Sequence, residues 1–413
     1  MTDQHSISRR RLLSTAGAAG AAGLAVGGAG GVLGSTAAHH STPLTAVGST
    51  MVPFHGTHQA GITTPAQARG HIVAFDLAPG ADRKAAAGLM RRWSAAAEAM
   101  TAGRTPAGDD QIALDAGPCS LTVTFGFGAS FFPKAGLADH APAALVPMPA
   151  FPSDAIDPKQ SNGDLWIQIG ADDPLVAFHA LRILQKEAAG VATPRWQMNG
   201  FNRTPGATAR PMTVRNLMGQ IDGTNNPKPT DKDFDAKIFV PDKSGPQAWM
   251  NGGSYAVVRR IRMLLDPWDD LTETEQEQVI GRRKSNGAPL SAPAPTGIET
   301  TPVDLEKVNP DGSLAIPGDA HIRVAAAQSN AGATILRRAF SYHDGYRADG
   351  SPDAGLLFIC WQADPTTGFI QIQLKLDGSD HLTRFIRHES SAIFAVPGGA
   401  QPGEYVGQHL LEA

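Results

Sequence analysis

Cysteine is nearly missing: 413 residues include only Cys119 and Cys360. Both sit in or near apolar runs, which suits one disulfide or two buried thiols, and neither stands in the Cys/His spacing of a structural zinc site. A dominant charge is missing too. Acidic side chains number 39 and basic ones 35, for a formal net charge of −4. No overall field therefore draws the chain to a polyanion, and nucleic-acid binding is set aside. The apolar stretch reaching to about residue 38 is rich in Gly and Ala and poor in Leu, Ile and Phe, which argues against a stable membrane helix. No G-x-S-x-G nucleophile elbow occurs. Gly126-Phe127-Gly128 follows a strand-like run but lacks the acidic residue that completes a dinucleotide-binding unit.

What is present describes a globular protein with ample core. Hydrophobic residues make up 42% and charged residues 18%, while 45 Gly and 31 Pro suit long ordered loops. The length suggests two domains. At the N-terminus, Ser8-Arg9-Arg10-Arg11-Leu12-Leu13 precedes the Gly/Ala-rich run. This is the layout of a twin-arginine signal, expected over residues 1–38, with a flexible lead-in over 39–54 and an exported, extracellular, periplasmic or envelope-associated product. His39, His40, His55 and His58 form a loose cluster near that edge, with no ligand role assigned to it.

Beyond the lead-in, one order of elements occurs twice. Residues 70–77 (GHIVAFDL), 121–127, 164–170 and 196–201 read as strands, and 82–100 and 173–186 as helices, the second capped by Asp173 with Val176, Ala180, Leu181 and Leu184 on one face. The second half offers strands at 253–264, 333–340, 355–362 and 391–396, an acidic-start helix at 268–282 and a helical segment at 367–376. Residues 283–320 are Pro/Gly-rich and expected as a long ordered loop. Each half has the β-α-β-β-α-β order of a ferredoxin-like unit. The expected fold class is therefore α+β: two ferredoxin-like domains, 55–218 and 219–413, with facing antiparallel sheets and peripheral helices.

Two stretches carry candidate chemistry. DAHIRVAAAQSNAGATILRRAFSY (319–342) opens with His321 beside Asp319 and Arg323 and closes on Arg337-Arg338. A neutral imidazole is the commonest ligand for a transition metal, and a guanidinium clamps acid groups. Roughly a hundred residues earlier, RNLMGQIDGTNNP (215–227) places Asp222 between Gly219 and Gly223. Glycines flanking one acid mark a turn where the backbone comes close to something, although an Asp-Gly turn alone is common.

With these, HQAGITTPAQ (58–67), LTVTFGFG (121–128), DLWIQIGADDP (164–174), GGSYAVVRRIRM (252–263), VIGRRKSNGAPL (279–290) and GLLFICWQ (355–362) stand in one order. Together they resemble the dye-decolourising peroxidases, a haem peroxidase family with a dimeric ferredoxin-like fold, over residues 54–410. Twin-arginine export is common in its deferrochelatase/peroxidase branch. The resemblance implies haem b, with His321 as the proximal iron ligand and Asp222 and Arg337 as the distal acid and arginine. Arg338 remains the alternative for that arginine. It also implies that Arg323 meets a haem propionate, that Phe358, Gly223 and Thr224 contribute to the cofactor pocket, and that Glu389 bonds His321.

One axial histidine leaves the sixth iron position open to hydrogen peroxide. A distal acid can then shuttle the proton and a guanidinium can steady the departing hydroxide, on the way to a ferryl species. Carboxylates ionise near 3.9 and imidazoles near 6.5, so an acidic optimum is expected. Dyes, phenolics or other small donors would supply electrons, bulky ones through Trp249, Trp268, Tyr342, Tyr346 or Trp361. A redox partner protein and a homo-oligomer are left open. The rival reading is a haem-handling protein that carries haem or releases its iron, with incidental peroxidase turnover.

Overall fold

The computed structural model describes residues 46–207, 213–242 and 244–413. The signal expected over residues 1–38, with His39 and His40, lies outside them. Residues 46–54, expected as a flexible lead-in, are instead tied down: Cys119 N–H donates to the Gly48 carbonyl at 3.1 Å, Ser120 N–H donates to that of Thr50 at 2.7 Å, and Phe54 is buried. Among the described residues no helix is long and apolar enough to cross a membrane.

Alternation of apolar residues builds the first sheet from β1 (Arg69–Leu77), β2 (Thr122–Gly128), β3 (Leu165–Ala171) and β4 (Ala192–Phe201). They lie in the order β4-β1-β3-β2, all antiparallel. Two helices cover its outer face: α1 (Arg83–Thr101), capped by Asp82, and α2 (Pro174–Glu187), whose cap Asp173 accepts from the Leu175 and Val176 N–H groups. Trp93 of α1 stacks on Phe125 of β2 at 5.6 Å.

The second half repeats the pattern with β5 (Ser254–Met263), β7 (Phe340–Tyr346), β8 (Pro352–Gln362) and β10 (Ala392–Val396) in the order β10-β5-β8-β7. The short β6 (Leu336–Arg337) pairs with β8, and β9 (Ile386–His388) with β5. The strand expected over 333–340 is thus mostly loop, with its regular part starting at Phe340. Left-handed Ala331 (φ 51°) and Gly332 (φ 88°) turn the chain just before it. The expected helix 268–282 is two pieces, Leu265–Asp269 and α3 (Glu273–Ile280), because Thr272 and Glu275 form a capping box that starts a new helix. Residues 283–320 carry no helix or ladder strand, only isolated pairings such as Val308 with Leu314. His321–Val324 then forms a single helical turn, α4, and Gln371–Ser379 forms α5.

The two sheets face each other, as the sequence suggests, and their edges also join. β4 meets β7 at Phe201–Ser341, β2 meets β10 at Phe394–Gly128 and Ala395–Phe127, and β5–β8 completes the ring. The result is a closed barrel. Its interior is packed by inward residues of both halves, among them Ile72, Trp166, Trp196, Val258, Trp361 and Phe394. Gly126 belongs to one seam, where an added Cβ would lie 3.2 Å from Phe394. That close approach explains the glycines that resemble a nucleotide loop. Alternation along β8 sends Leu357, Ile359 and Trp361 inward and leaves Leu356 and Phe358, only partly covered, on the outer face.

Candidate active site

The Gly-x-x-Asp-Gly stretch folds back on itself. Asp222 N–H donates to the Val214 carbonyl at 3.0 Å, and Gly223 takes φ 115°, a conformation that side chains rarely adopt. The turn presents the Asp222 carboxylate to Arg337, whose Nη1 donates to Oδ1 at 2.8 Å. Both side chains are about one-quarter exposed. The partner arrives from β6, 115 positions along the chain. Arg338 turns the other way: its Nε donates to the Thr64 carbonyl at 2.9 Å, and its guanidinium lies 5.7 Å from the Phe340 ring.

A residue to which the sequence assigned no part holds the pair together. Asn226 Nδ2 donates to the Arg337 carbonyl at 2.6 Å, and Arg337 N–H donates to Asn226 Oδ1 at 3.1 Å. One side-chain amide thus mimics a strand partner and pins β6 to the acidic turn. Its only sequence signal is its place in DGTNNP. Thr224, beside the acid, donates from Oγ1 to Glu299 Oε2 at 3.0 Å. It therefore braces the turn against the long loop.

His321 opens α4, and its Nδ1 lies 2.7 Å from Asp380 Oδ2. Asp380 is nearly inaccessible, at 2% exposure. A carboxylate only accepts, so the Nδ1 hydrogen sits between them and Nε2 is left with the lone pair that can ligate a metal. Asp380 in turn accepts from Leu382 N–H at 3.0 Å, which fixes its orientation. Burial draws the imidazole pKa down, but the charge and hydrogen bond of Asp380 outweigh it and the net shift is upward. Arg337 (lowering) and Asp222 (raising) also act on this imidazole through space, so the two constellations share one electrostatic environment.

One expectation is corrected. Glu389 is not the partner of His321. It accepts from Arg262 Nε at 2.7 Å and Arg347 Nη1 at 3.1 Å, and Asp380 takes the role. Arg323 directs Nε to the Ile316 and Pro317 carbonyls, both at 3.1 Å, and Nη2 to those of Ile316 and Leu305. Its guanidinium fastens the long loop behind α4.

Phe358 sits on the partly covered outer face of β8, 5.8 Å from the ring of Phe369. Cys119 and Cys360 are both buried free thiols. His55 Nδ1 pairs with the Ala400 carbonyl and His58 Nδ1 with that of Gly252, at 3.2 and 2.6 Å, so both rings have structural partners. Of the five aromatics considered as electron routes, Trp249, Trp268, Tyr342 and Trp361 are buried and Tyr346 is 76% exposed.

The donor set fits an iron porphyrin. An imidazole steadied by a carboxylate offers Nε2, to which no protein partner is bonded among the described residues. Leu356 and Phe358 leave a partly covered apolar face, and Asp222 and Arg337 supply an acid and a fixed cation within electrostatic reach. Beside the pair lies a cavity of about 430 Å³ lined by Asp222, Asn226, Arg337 and Arg338, among others. Neither His321 nor Phe358 is part of its wall.

Residues 59–202 match the family profile described as Dyp-type peroxidase, N-terminal, and residues 213–401 match Dyp-type peroxidase, C-terminal. The crystal structure of a DyP-type peroxidase from Streptomyces coelicolor superposes with a TM-score of 0.87 at 62% identity, covering 90% of this chain and all of that one. A dye-decolorizing peroxidase of Thermobifida fusca is 41% identical over 430 residues, covering 100% of this chain and 99% of the relative. A deferrochelatase of Yersinia pestis is 36% identical over 382 residues, 87% of this chain and 85% of the relative.

Proposed function

Since the chain belongs to the DyP-type peroxidases, haem enzymes that act on peroxide and an electron donor, we propose that it binds haem b through His321 and uses Asp222 and Arg337 as its distal pair. The observation that carries this reading is the 2.8 Å Asp222–Arg337 contact held within electrostatic reach of an imidazole braced by Asp380.

Haem held by His321 would supply two-electron chemistry toward hydrogen peroxide and one-electron chemistry toward donors. The protein does the rest. Asp380 orients the His321 ring and makes Nε2 a stronger donor. Asp222 Oδ2, with no hydrogen bond among the described residues, takes a proton from hydrogen peroxide and returns it to the departing oxygen. Arg337 keeps the carboxylate in place and offers positive charge where negative charge develops. Leu356 and Phe358 limit water at the apolar face. Dyes, phenolics and similar molecules are the donors.

Absorption spectra and peroxide kinetics test this reading. Wild type prepared with haem supply is expected to show a Soret band that His321→Ala loses or shifts. Asp222→Asn is expected to keep haem while kcat/KM for peroxide drops by about 10²–10⁴. An Asp222→Asn variant with wild-type peroxide kinetics would exclude the acid. The deferrochelatase relative motivates a second reading, release of iron from haem. Iron-free porphyrin appearing without peroxide, alongside negligible dye turnover, would favour it. The Ser8–Leu13 pattern supports twin-arginine export. A chain of full length found only in the cytoplasm on cell fractionation would count against it.

A further inference from the structure

Among the described residues, one place outside the candidate active site gathers three metal-ligating side chains: Asp109, Asp110 and His179. All three belong to the first half of the chain. His179 stands on α2, and the two aspartates lie in the loop between α1 and β2. One donor atom from each falls within 4.8 Å of the other two. His179 Nε2 is 2.5 Å from Asp109 Oδ1 and 3.6 Å from Asp110 Oδ1.

An ion pair needs only one of these acids. Asp109 already satisfies the ring, yet Asp110 turns a second carboxylate toward the same nitrogen. The imidazole is 9% exposed and the carboxylates 10% and 19%, so water does little to screen the two acids from each other. Lys186 compensates only in part. Its Nζ stands 3.9 Å from Asp110 Oδ2, not from the Oδ1 that faces the ring, and it donates to the Gly108 carbonyl at 3.3 Å. Burial pushes the Asp109 carboxyl up, but the hydrogen bond and charge of His179, with the Gln111 and Asp110 N–H groups, outweigh it. Asp109 is therefore held ionised, as a ligand must be.

The spacing suits a tetrahedral ion. Zinc bonded at about 2.0–2.1 Å to nitrogen and oxygen holds those atoms about 3.3 Å apart. Asp110 Oδ1 already stands near that separation from Nε2, and Ile112 N–H, donating to it at 3.3 Å, steadies it there. Asp109 has only to swing back by roughly 0.8 Å to match it. An imidazole beside two carboxylates favours zinc over magnesium or calcium, which take oxygen ligands.

We propose that Asp109, Asp110 and His179 form a zinc site, completed by water, that clamps the loop between α1 and β2 onto α2. Binding moves the imidazole hydrogen from Nε2 to Nδ1, so that Nε2 presents its lone pair to the ion. Asp110, the most open of the three side chains, marks the side from which the ion enters.

The test uses tag-free, haem-loaded protein, freed of loose metal with a chelator and titrated calorimetrically with zinc chloride and with magnesium chloride. Wild type is expected to bind one zinc per chain with a Kd below about 10 µM, at least ~100-fold tighter than magnesium. X-ray absorption at the zinc edge, which haem iron does not obscure, should show nitrogen and oxygen ligands at about 2.0–2.2 Å and no sulfur. With zinc about a hundredfold above Kd, Tm should rise by roughly 3 °C. Asp110→Asn, which keeps the His179–Asp109 bond, is expected to weaken zinc by roughly 10–100-fold or more, with the Soret band and dye turnover unchanged.

No saturable zinc binding in wild type would overturn the proposal and leave an ion pair with a spare acid. Magnesium bound as tightly as zinc would overturn it too, because the imidazole would then not be a ligand. So would unchanged zinc affinity in a folded Asp110→Asn protein, which would put the ion elsewhere. Should that variant fail to fold, the wild-type titration and the zinc-edge spectrum decide alone.

Discussion

Asp222 and Arg337 have charges that attract, but attraction alone does not fix where a surface ion pair sits. Here the constraint is Asn226, which exchanges two hydrogen bonds with the Arg337 backbone and lies four residues beyond the acid. Asn226→Ala removes both and leaves an N–H and a C=O unmatched, at a cost of about 2–3 kcal/mol. Peroxide kcat/KM is expected to fall by roughly tenfold or more, because Arg337 loses its fixed place against Asp222. Asn226→Asp keeps the acceptor but sets a carboxylate oxygen against the Arg337 carbonyl, and so should not rescue. Stopped-flow peroxide kinetics beside calorimetry decide the matter: a loss of stability with unchanged peroxide kcat/KM would make Asn226 a purely structural strut. At this scale the sequence was only partly readable. His321, Asp222 and Arg337 stand in patterned stretches. Asp380 carries no local mark, lies 59 positions from the histidine it orients, and became its partner only through the chain's return after α5. Glu389 looked equally suitable in one dimension, yet β9 and β5 deliver it to Arg262 and Arg347 instead.

At the scale of elements, legibility followed the strength of the local signal. Strands buried on one or both faces announce themselves by alternation or by continuous apolar runs, so β1, β2, β3, β5, β8 and β10 stand close to where the residues suggest. The caps Asp82 and Asp173 do the same for α1 and α2. The failure at 333–340 has a specific cause. Ala333, Ile335, Leu336, Ala339 and Phe340 look like a strand, but Leu336–Arg337 is the only part before Phe340 that forms a named ladder with β8. Asn226 takes the place of a strand partner there. The adjacent arginines reach opposite sides, Arg337 toward Asp222 and Arg338 toward Thr64, as neighbouring strand residues do. A regular strand would be easier to read and would not hold the acid turn so near.

The whole molecule explains why two modest seams suffice to position this site. Backbone pairing across the β4–β7 seam is a single residue pair, Phe201 with Ser341, so side-chain packing must hold it. Gly70 and Gly200 are register partners, and the ring of Phe340 occupies the notch their missing side chains leave; a Cβ on Gly70 would lie 2.7 Å from that ring, and one on Gly200 would collide with the Phe340 Cβ. No local pattern in the sequence reveals such a notch, because its two sides come from different halves of the chain. Phe340 stands three residues after Arg337, so forcing it outward pulls on the arginine that faces Asp222. Gly70→Ala, whose new Cβ would meet the ring atoms, is therefore expected to cost about 1–3 kcal/mol and to lower Tm by a few degrees in one transition, with peroxide kcat/KM falling alongside. Pairing it with Phe340→Leu, which thins the ring side of the notch, should restore part of the loss, so that the double variant is more stable than the sum of the two single costs predicts. Strict additivity in that cycle, or a melt that splits in two with only its second step moved, would mean that the halves fold apart and that the notch does not hold the arginine in place.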